Sequence, residues 1–208
     1  MLHAASLRSR TSSILPIILL LTSTVLAIAG TMVTPQPAAA AAPEIVYFPV
    51  TGHHVSEPFI STWRKLGGLA TFGYPLSEAV VDPDSGLTVQ YFERERFEYH
   101  PENAGTEYEV LFALLGSWLT VGRTEPAFTP IRAETAPPDT PERAFYTPTG
   151  HYLSYGFKSY WESHGGLRIF GYPISEEFAE VNADTGQTYT VQYFERARFE
   201  YHPEHAGT

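Results

Sequence analysis

The sequence predicts an α+β protein built of two tandem small modules, each a helix plus short antiparallel hairpins, behind a signal peptide. Two observations carry that prediction. The first is an internal repeat: VQYFERERFEYHPE, Val89 to Glu102, returns as VQYFERARFEYHPE from Val191 to Glu204, with only Glu95 changed, to Ala197. Two copies of one supersecondary unit point to an array of similar modules. The second is a change of apolar period inside each copy, from a helical spacing to strict alternation, with Gly and Pro between the two stretches.

The elements follow in order. Leu2 to Arg10 is a short basic region, Ile14 to Ala29 is an apolar run, and Pro35, Pro37 and the tract Ala38 to Ala42 complete the three-part layout of a secretory signal. Residues 1–42 are therefore read as signal and cleavage region, with cleavage in the alanine tract. The alternative is an uncleaved anchor, although the apolar run falls short of the roughly 20 residues that span a bilayer.

The first module is assigned to residues 43–121. Val55, Phe59, Trp63 and Leu66 line one face of a predicted helix, with Ser56 available as a cap, Pro58 in the first turn, and Gly67 and Gly68 as its stop. The second copy keeps the plan with Leu153, Phe157, Trp161 and His164 before Gly165 and Gly166, so both tryptophans read as core anchors. Phe72-Gly73-Tyr74-Pro75, mirrored by Phe170-Gly171-Tyr172-Pro173, is a tight turn into a sheet. Asp82 to Gly86 then separates a short strand, Glu78 to Val81, from a longer one beginning at Leu87. The second copy is four residues longer in this region, which supports a hairpin tip there.

The repeated signature reads as a second hairpin with Arg94 and Glu95 at its tip. Gln90, Phe92, Phe97 and Tyr99 then point to the core, and Tyr91, Glu93, Arg96 and Glu98 to the other face. No glycine sits at that tip, so a continuous bent strand is the alternative. Glu107 to Leu119, apolar on most sides, predicts a buried second helix. Residues 122–144, with five prolines among Thr, Glu and Ala, read as a semi-extended linker. Residues 145–208 form the second module, which ends before the counterpart of the second helix; the reading favours a fragment of a longer protein.

Composition bounds the function. Thirteen basic residues stand against 23 acidic ones, and with Arg8 and Arg10 in the signal the remainder carries 11 against 23. So acidic a surface repels phosphate backbones and anionic lipid, which argues against a nucleic-acid partner and against membrane contact beyond an N-terminal anchor. There is no cysteine, so disulfides, thiolate metal sites and thiol-linked lipid are excluded, and the 13 Tyr, 13 Phe and three Trp must supply the core.

The module resembles the LGFP-type repeats of exported bacterial cell-envelope proteins, in which a Gly-x-Pro turn precedes a Tyr-Gln-x-Phe strand and a hairpin that ends in an aromatic strand. The matching residues are Gly73, Pro75, Tyr91 and Phe92, and Gly171, Pro173, Tyr193 and Phe194. This chain differs in having Tyr74 and Tyr172 in the aromatic turn slot, in placing Val-Gln before Tyr-Phe, and in lacking a tip glycine. The resemblance implies association with the cell wall, often beside a separate catalytic domain, and supplies no catalytic residues.

Other constellations point to weaker chemistry. Glu93 and Glu95 have the look of a glycosidase pair, but a hairpin tip shields a carboxyl poorly and the second copy has Ala197. His100 with Glu102 and His202 with Glu204 fall short of the three or four ligands a metal needs. Ser77 and Ser175 lie outside any nucleophile-elbow pattern and read as turn caps. No catalytic residue, metal site or cofactor is assigned. Tyr91, Arg96 and Glu98, with Tyr193, Arg198 and Glu200, place a ring beside charged hydrogen-bonding groups and are the candidate ligand-binding residues. The expectation is a non-catalytic exported protein of the envelope that binds wall polysaccharide or peptidoglycan. The alternatives are a passive stalk or spacer, or the accessory part of an exported hydrolase whose catalytic domain lies outside this sequence.

Overall fold

The computed structural model of the chain describes residues 43–205. The region read as a secretory signal, with its alanine tract, lies outside them. Over the described residues the protein is α+β, and every strand pairing is antiparallel.

Strands β1 (Ile45–Phe48) and β2 (His53–Ser56) form a hairpin with Val46 opposite Val55. Two short helices follow, α1 (Phe59–Lys65) and α2 (Gly68–Phe72). Gly67 separates them with a φ of 113°, a conformation that a side chain resists. A four-stranded sheet comes next, in chain order: β3 (Val80–Val81), β4 (Thr88–Tyr91), β5 (Arg96–Tyr99) and β6 (Val110–Phe112), and α3 (Leu115–Leu119) closes the set. The same order then returns. Strands β7 (Arg143–Tyr146) and β8 (His151–Ser154) pair, α4 (Tyr155–Ser163) and α5 (Gly166–Phe170) follow, and β9 (Phe178–Val181), β10 (Thr188–Tyr193) and β11 (Arg198–Tyr201) make a three-stranded sheet with β10 in the middle.

Four local expectations are corrected. Val55 and Leu153 are core residues of β2 and β8 rather than helical ones, and the helices start later. Ser56 makes no cap; Pro58 holds the N-cap position of α1 without a side-chain hydrogen bond. Glu107 to Leu119 is not one helix but a turn at 107–109, strand β6, a two-residue link and the five-residue α3. The apolar run suits either element, and pairing with β5 decides for strand, because Phe112 there lies 4.9 Å from the Phe97 ring. The signature hairpin turns one residue earlier than expected, at Glu93 and Arg94: Tyr91 pairs with Arg96, and the Phe92 amide donates to the Glu95 carbonyl at 2.8 Å. Neither tip residue has a positive φ, so the turn needs no glycine.

The four extra residues of the second copy lengthen strands rather than the tip. Val80 pairs with Val89 and Phe178 with Val191, but β9 and β10 run two residues further before an otherwise matching turn at Asn182 to Gly186.

The core is continuous and aromatic, with Phe59, Phe72, Phe92, Phe97 and Phe112 in the first repeat and Phe157, Phe170, Phe194 and Phe199 in the second. Each such side chain contributes roughly 1.5–3 kcal/mol by burial, and the rings meet mostly edge-on or tilted. Trp63 and Trp161 pack against this core, and each indole N–H donates to the carbonyl of the turn glycine, Gly73 or Gly171, at 3.0 Å.

Candidate functional site

Most of the repeated signature is engaged in holding the fold. Gln90 is fully buried, and its amide nitrogen donates to the carbonyls of His54 at 2.7 Å and Ser77 at 2.8 Å. Gln192 does the same with Tyr152 and Ser175. Each thereby ties the first hairpin of its repeat to the signature strand. The serines hold a strand rather than a turn: Ser77 and Ser175 accept the backbone N–H of Tyr91 and Tyr193.

At the tip, the Glu93 carboxylate accepts the Tyr74 amide at 3.2 Å, and Arg94 donates to the Leu69 carbonyl in α2 at 3.1 Å. Glu195 and Arg196 repeat both bonds with Tyr172 and Leu167. A Glu-Arg tip therefore clamps the Gly-Tyr-Pro turn in each copy. Gly73 and Gly171 are required beneath it, since a Cβ at either would run into the tip glutamate.

On the opposite face the candidate residues do come together. Arg96 is the hub, ion-paired with Asp82 at 3.2 Å and Glu98 at 2.9 Å, and it donates to the Tyr91 hydroxyl at 3.4 Å. Its guanidinium also stands 5.7 Å from the Tyr91 ring centre and 5.3 Å from that of Trp118. Burial alone would lower the Arg96 pKa, but Glu98 and Tyr91 raise it, so the charge is secure. The Ser85 hydroxyl, against burial and with help from Arg96, holds the Asp82 carboxyl below its ordinary range. Tyr91 and Trp118 remain 42% and 50% exposed, so both rings that meet the Arg96 cation also face outward.

The second copy has the same hub with a different outlook. Arg198 pairs with Glu200 at 2.7 Å and with Glu180, from the lengthened β9, at 2.9 Å. Burial raises the Glu180 carboxyl, but hydrogen bonds from Arg123, Arg198 and Tyr193 outweigh it and bring the group below its ordinary range. Tyr193 is only 7% exposed, because the chain's own Arg123 lies over it at 5.1 Å and Phe128 packs against it at 5.5 Å. Burial, with Glu180 accepting its proton at 2.9 Å, pushes the Tyr193 hydroxyl above its ordinary value. The proline-rich segment is thus docked, through Arg123, Phe128 and the Glu176 amide bonded to the Ala127 carbonyl, rather than spanning free.

Sequence reasoning missed Trp118, Asp82, Glu180, Arg123 and Phe128. Trp118 was hidden in the apolar run, and Arg123 in a segment whose prolines dominate its composition. It also missed the surroundings of Glu95. Expected at an open tip, this side chain is 4% exposed, and burial pushes its carboxyl up to about 9, against the opposing pull of the Arg96 amide and the Arg196 charge. The histidines keep to their own neighbours: His100 and His202 each meet the glutamate two residues on at 2.8 Å. Among the described residues no group of three His, Cys, Asp or Glu is placed to hold a metal, and no helix is long and apolar enough to cross a membrane.

The repeats also touch each other. The Ser117 amide of α3 donates to the Glu195 carbonyl at 3.0 Å, Arg196 donates to the Phe112 carbonyl at 3.1 Å, and Gly116 lies so close to Phe194 that a Cβ would strike its carbonyl oxygen. A cleft of about 440 Å³ beside this contact is lined by Tyr108, Leu111, Leu167 and Tyr172, with Arg168 and Arg196 at its rim. Both arginines are already bonded across it, Arg168 to Glu107 and Arg196 to Leu167 and Phe112. Comparison with protein-family models and with curated proteins returned no match.

Proposed function

We propose that the chain is a non-catalytic exported repeat protein of the bacterial cell envelope, in which each repeat is a module and the Tyr91, Arg96 and Trp118 face of the first holds wall polysaccharide or peptidoglycan. The observation that carries the reading is a pair of exposed rings against a guanidinium that Asp82 and Glu98 hold by ion pairs. Rings offer a flat apolar surface to sugar C–H groups, and fixed charged groups orient hydroxyl and carboxylate partners without the entropy of ordering a free side chain. In the second repeat Arg123 and Phe128 already occupy the equivalent face. Among the described residues, the face of the first repeat is therefore the open one. The apolar leader and the resemblance to LGFP-type repeats support export and the wall as the location.

The test is retention of the chain from Pro43 onward on purified cell-wall polysaccharide. Replacement of Tyr91 and Trp118 by alanine abolishes retention while the thermal melt stays cooperative. Tyr193→Ala lowers stability, since that ring is packed, and leaves retention intact in the folded fraction. A folded wild-type chain that is not retained refutes the proposal. The contacts of α3 with the second tip would then favour the alternative, a stiff spacer with no ligand of its own.

A further inference from the structure

We propose that the cleft between the two repeats binds a carboxylate carried on an apolar body, the chemistry of a peptide C-terminus with an aliphatic last residue, and that Arg196 takes the carboxylate. The cleft shares no residue with the face of Tyr91, Arg96 and Trp118, so the proposal does not rest on the function read from that face.

Arg94 and Arg196 are the same residue of the same tip in two settings. Arg94 is exposed and donates to the Leu69 carbonyl. Arg196 is half-buried, with strand β6 of the first repeat beside it, and donates to the Leu167 and Phe112 carbonyls at 3.2 and 3.1 Å. Both acceptors are neutral. A guanidinium drawn out of water calls for an opposite charge close by, yet among the described residues no carboxylate lies within ion-pairing distance of Arg196. The nearby acids are engaged elsewhere. Glu195 accepts the Tyr172 amide at 2.9 Å, Glu107 is paired with Arg168 at 3.0 Å, and Glu95 is kept protonated by its burial even against the Arg196 charge. The Arg196 Nη2 group has no acceptor among the described residues and remains open to solvent.

The walls supply the apolar part. Tyr108, Leu111, Leu167 and Tyr172 line about 440 Å³ next to this guanidinium, with Tyr108 57% and Leu167 42% exposed. That volume is at the lower end of ligand sites and suits one or two residues rather than a long chain. No side-chain amide lines it, and the hydroxyls of Tyr108 and Tyr172 are without hydrogen-bond partners among the described residues. A sugar, with hydroxyls on every side, would leave most of them unanswered here. A peptide end offers one carboxylate, one or two amides and an apolar side chain, which match the guanidinium, the two hydroxyls and the leucines. One wall is β6 with the turn before it, and the other is α5 with the second tip, so the site is made by the meeting of the repeats.

The experiment titrates the chain from Pro43 onward with N-acetyl-leucyl-leucine, as the free acid and separately as the C-terminal amide, followed by amide NMR. The expected result is saturable shifts at Leu111, Leu167 and Tyr172, with the amide form bound about tenfold or more weakly, as the loss of a charge-assisted hydrogen bond requires. Arg196→Gln should bring the two forms to equal affinity. Arg94→Gln, at the exposed counterpart, should leave the preference for the acid unchanged. Leu167→Ser should weaken both forms alike, a check that holds even if the Arg196 variant loosens the contact between repeats. Equal binding of acid and amide by the wild-type chain overturns the proposal, as does the absence of saturable shifts at the cleft of the folded chain.

Discussion

Glu95→Gln tests the buried carboxyl in the first tip. The wild-type group has a folded-state pKa of about 9 against an ordinary 4.5, with desolvation as the main cause. Folded protein therefore holds this proton more tightly than unfolded protein does. Stability is fully present below pH 4.5, falls as the pH rises from there toward 9, and levels off above it. At pH 7 the carboxyl is protonated about 2.5 pH units above its ordinary value, and at about 1.36 kcal/mol per unit this lowers stability by about 3 kcal/mol. Glutamine has the same shape, still accepts the Arg96 amide that Glu95 accepts at 3.0 Å, and does not titrate. Urea unfolding of both proteins from pH 4 to 9 should therefore give curves that lie close together at pH 4 and separate steadily, with the variant more stable by about 3 kcal/mol at pH 7. A difference that is constant across the range would refute the burial argument.

Other outcomes follow from the same packing. Gln192→Leu strands the Tyr152 and Ser175 carbonyls and should lower stability by about 3 kcal/mol in denaturant titration. Gly116→Ala forces a methyl group against the Phe194 carbonyl and should destabilise by about 1–3 kcal/mol, with a lower melting temperature. The His202 ring, hydrogen-bonded first of all by Glu204 and then by Glu200, should titrate above 6.5 in NMR, and Glu204→Gln should bring it down. Whatever stability this pair adds is present below pH 6.5 and fades as the pH rises through the raised value.

The repeat, the aromatic core and the Gly-x-Pro turns were legible because each is written locally: glycine where φ is positive, alternation where a strand has one buried face. Gln90 and Phe97 were rightly turned inward on that ground. What escaped was set by partners distant in sequence. Val110 to Phe112 is strand only because β5 lies beside it. Glu95 is buried at a turn, where local pattern predicts exposure, and its only close sequence counterpart is an alanine. The candidate face was half legible for the same reason. Tyr91, Arg96 and Glu98 share it by alternation, but only tertiary packing shows that Trp118 completes it and that Arg123 covers its twin.

The seat of α3 on the second tip has a thermodynamic consequence. Part of the free energy that holds the second repeat together is a nearest-neighbour term supplied by residues of the first. Such coupling behaves like that of a one-dimensional lattice, in which a unit is more stable beside a folded neighbour than alone. The contact is built from both sides, since Gly116 and Ser117 reach from the earlier copy to the later one and Arg196 reaches back to the Phe112 carbonyl. Because such coupling is reciprocal, damage to either repeat is thereby transmitted to the other.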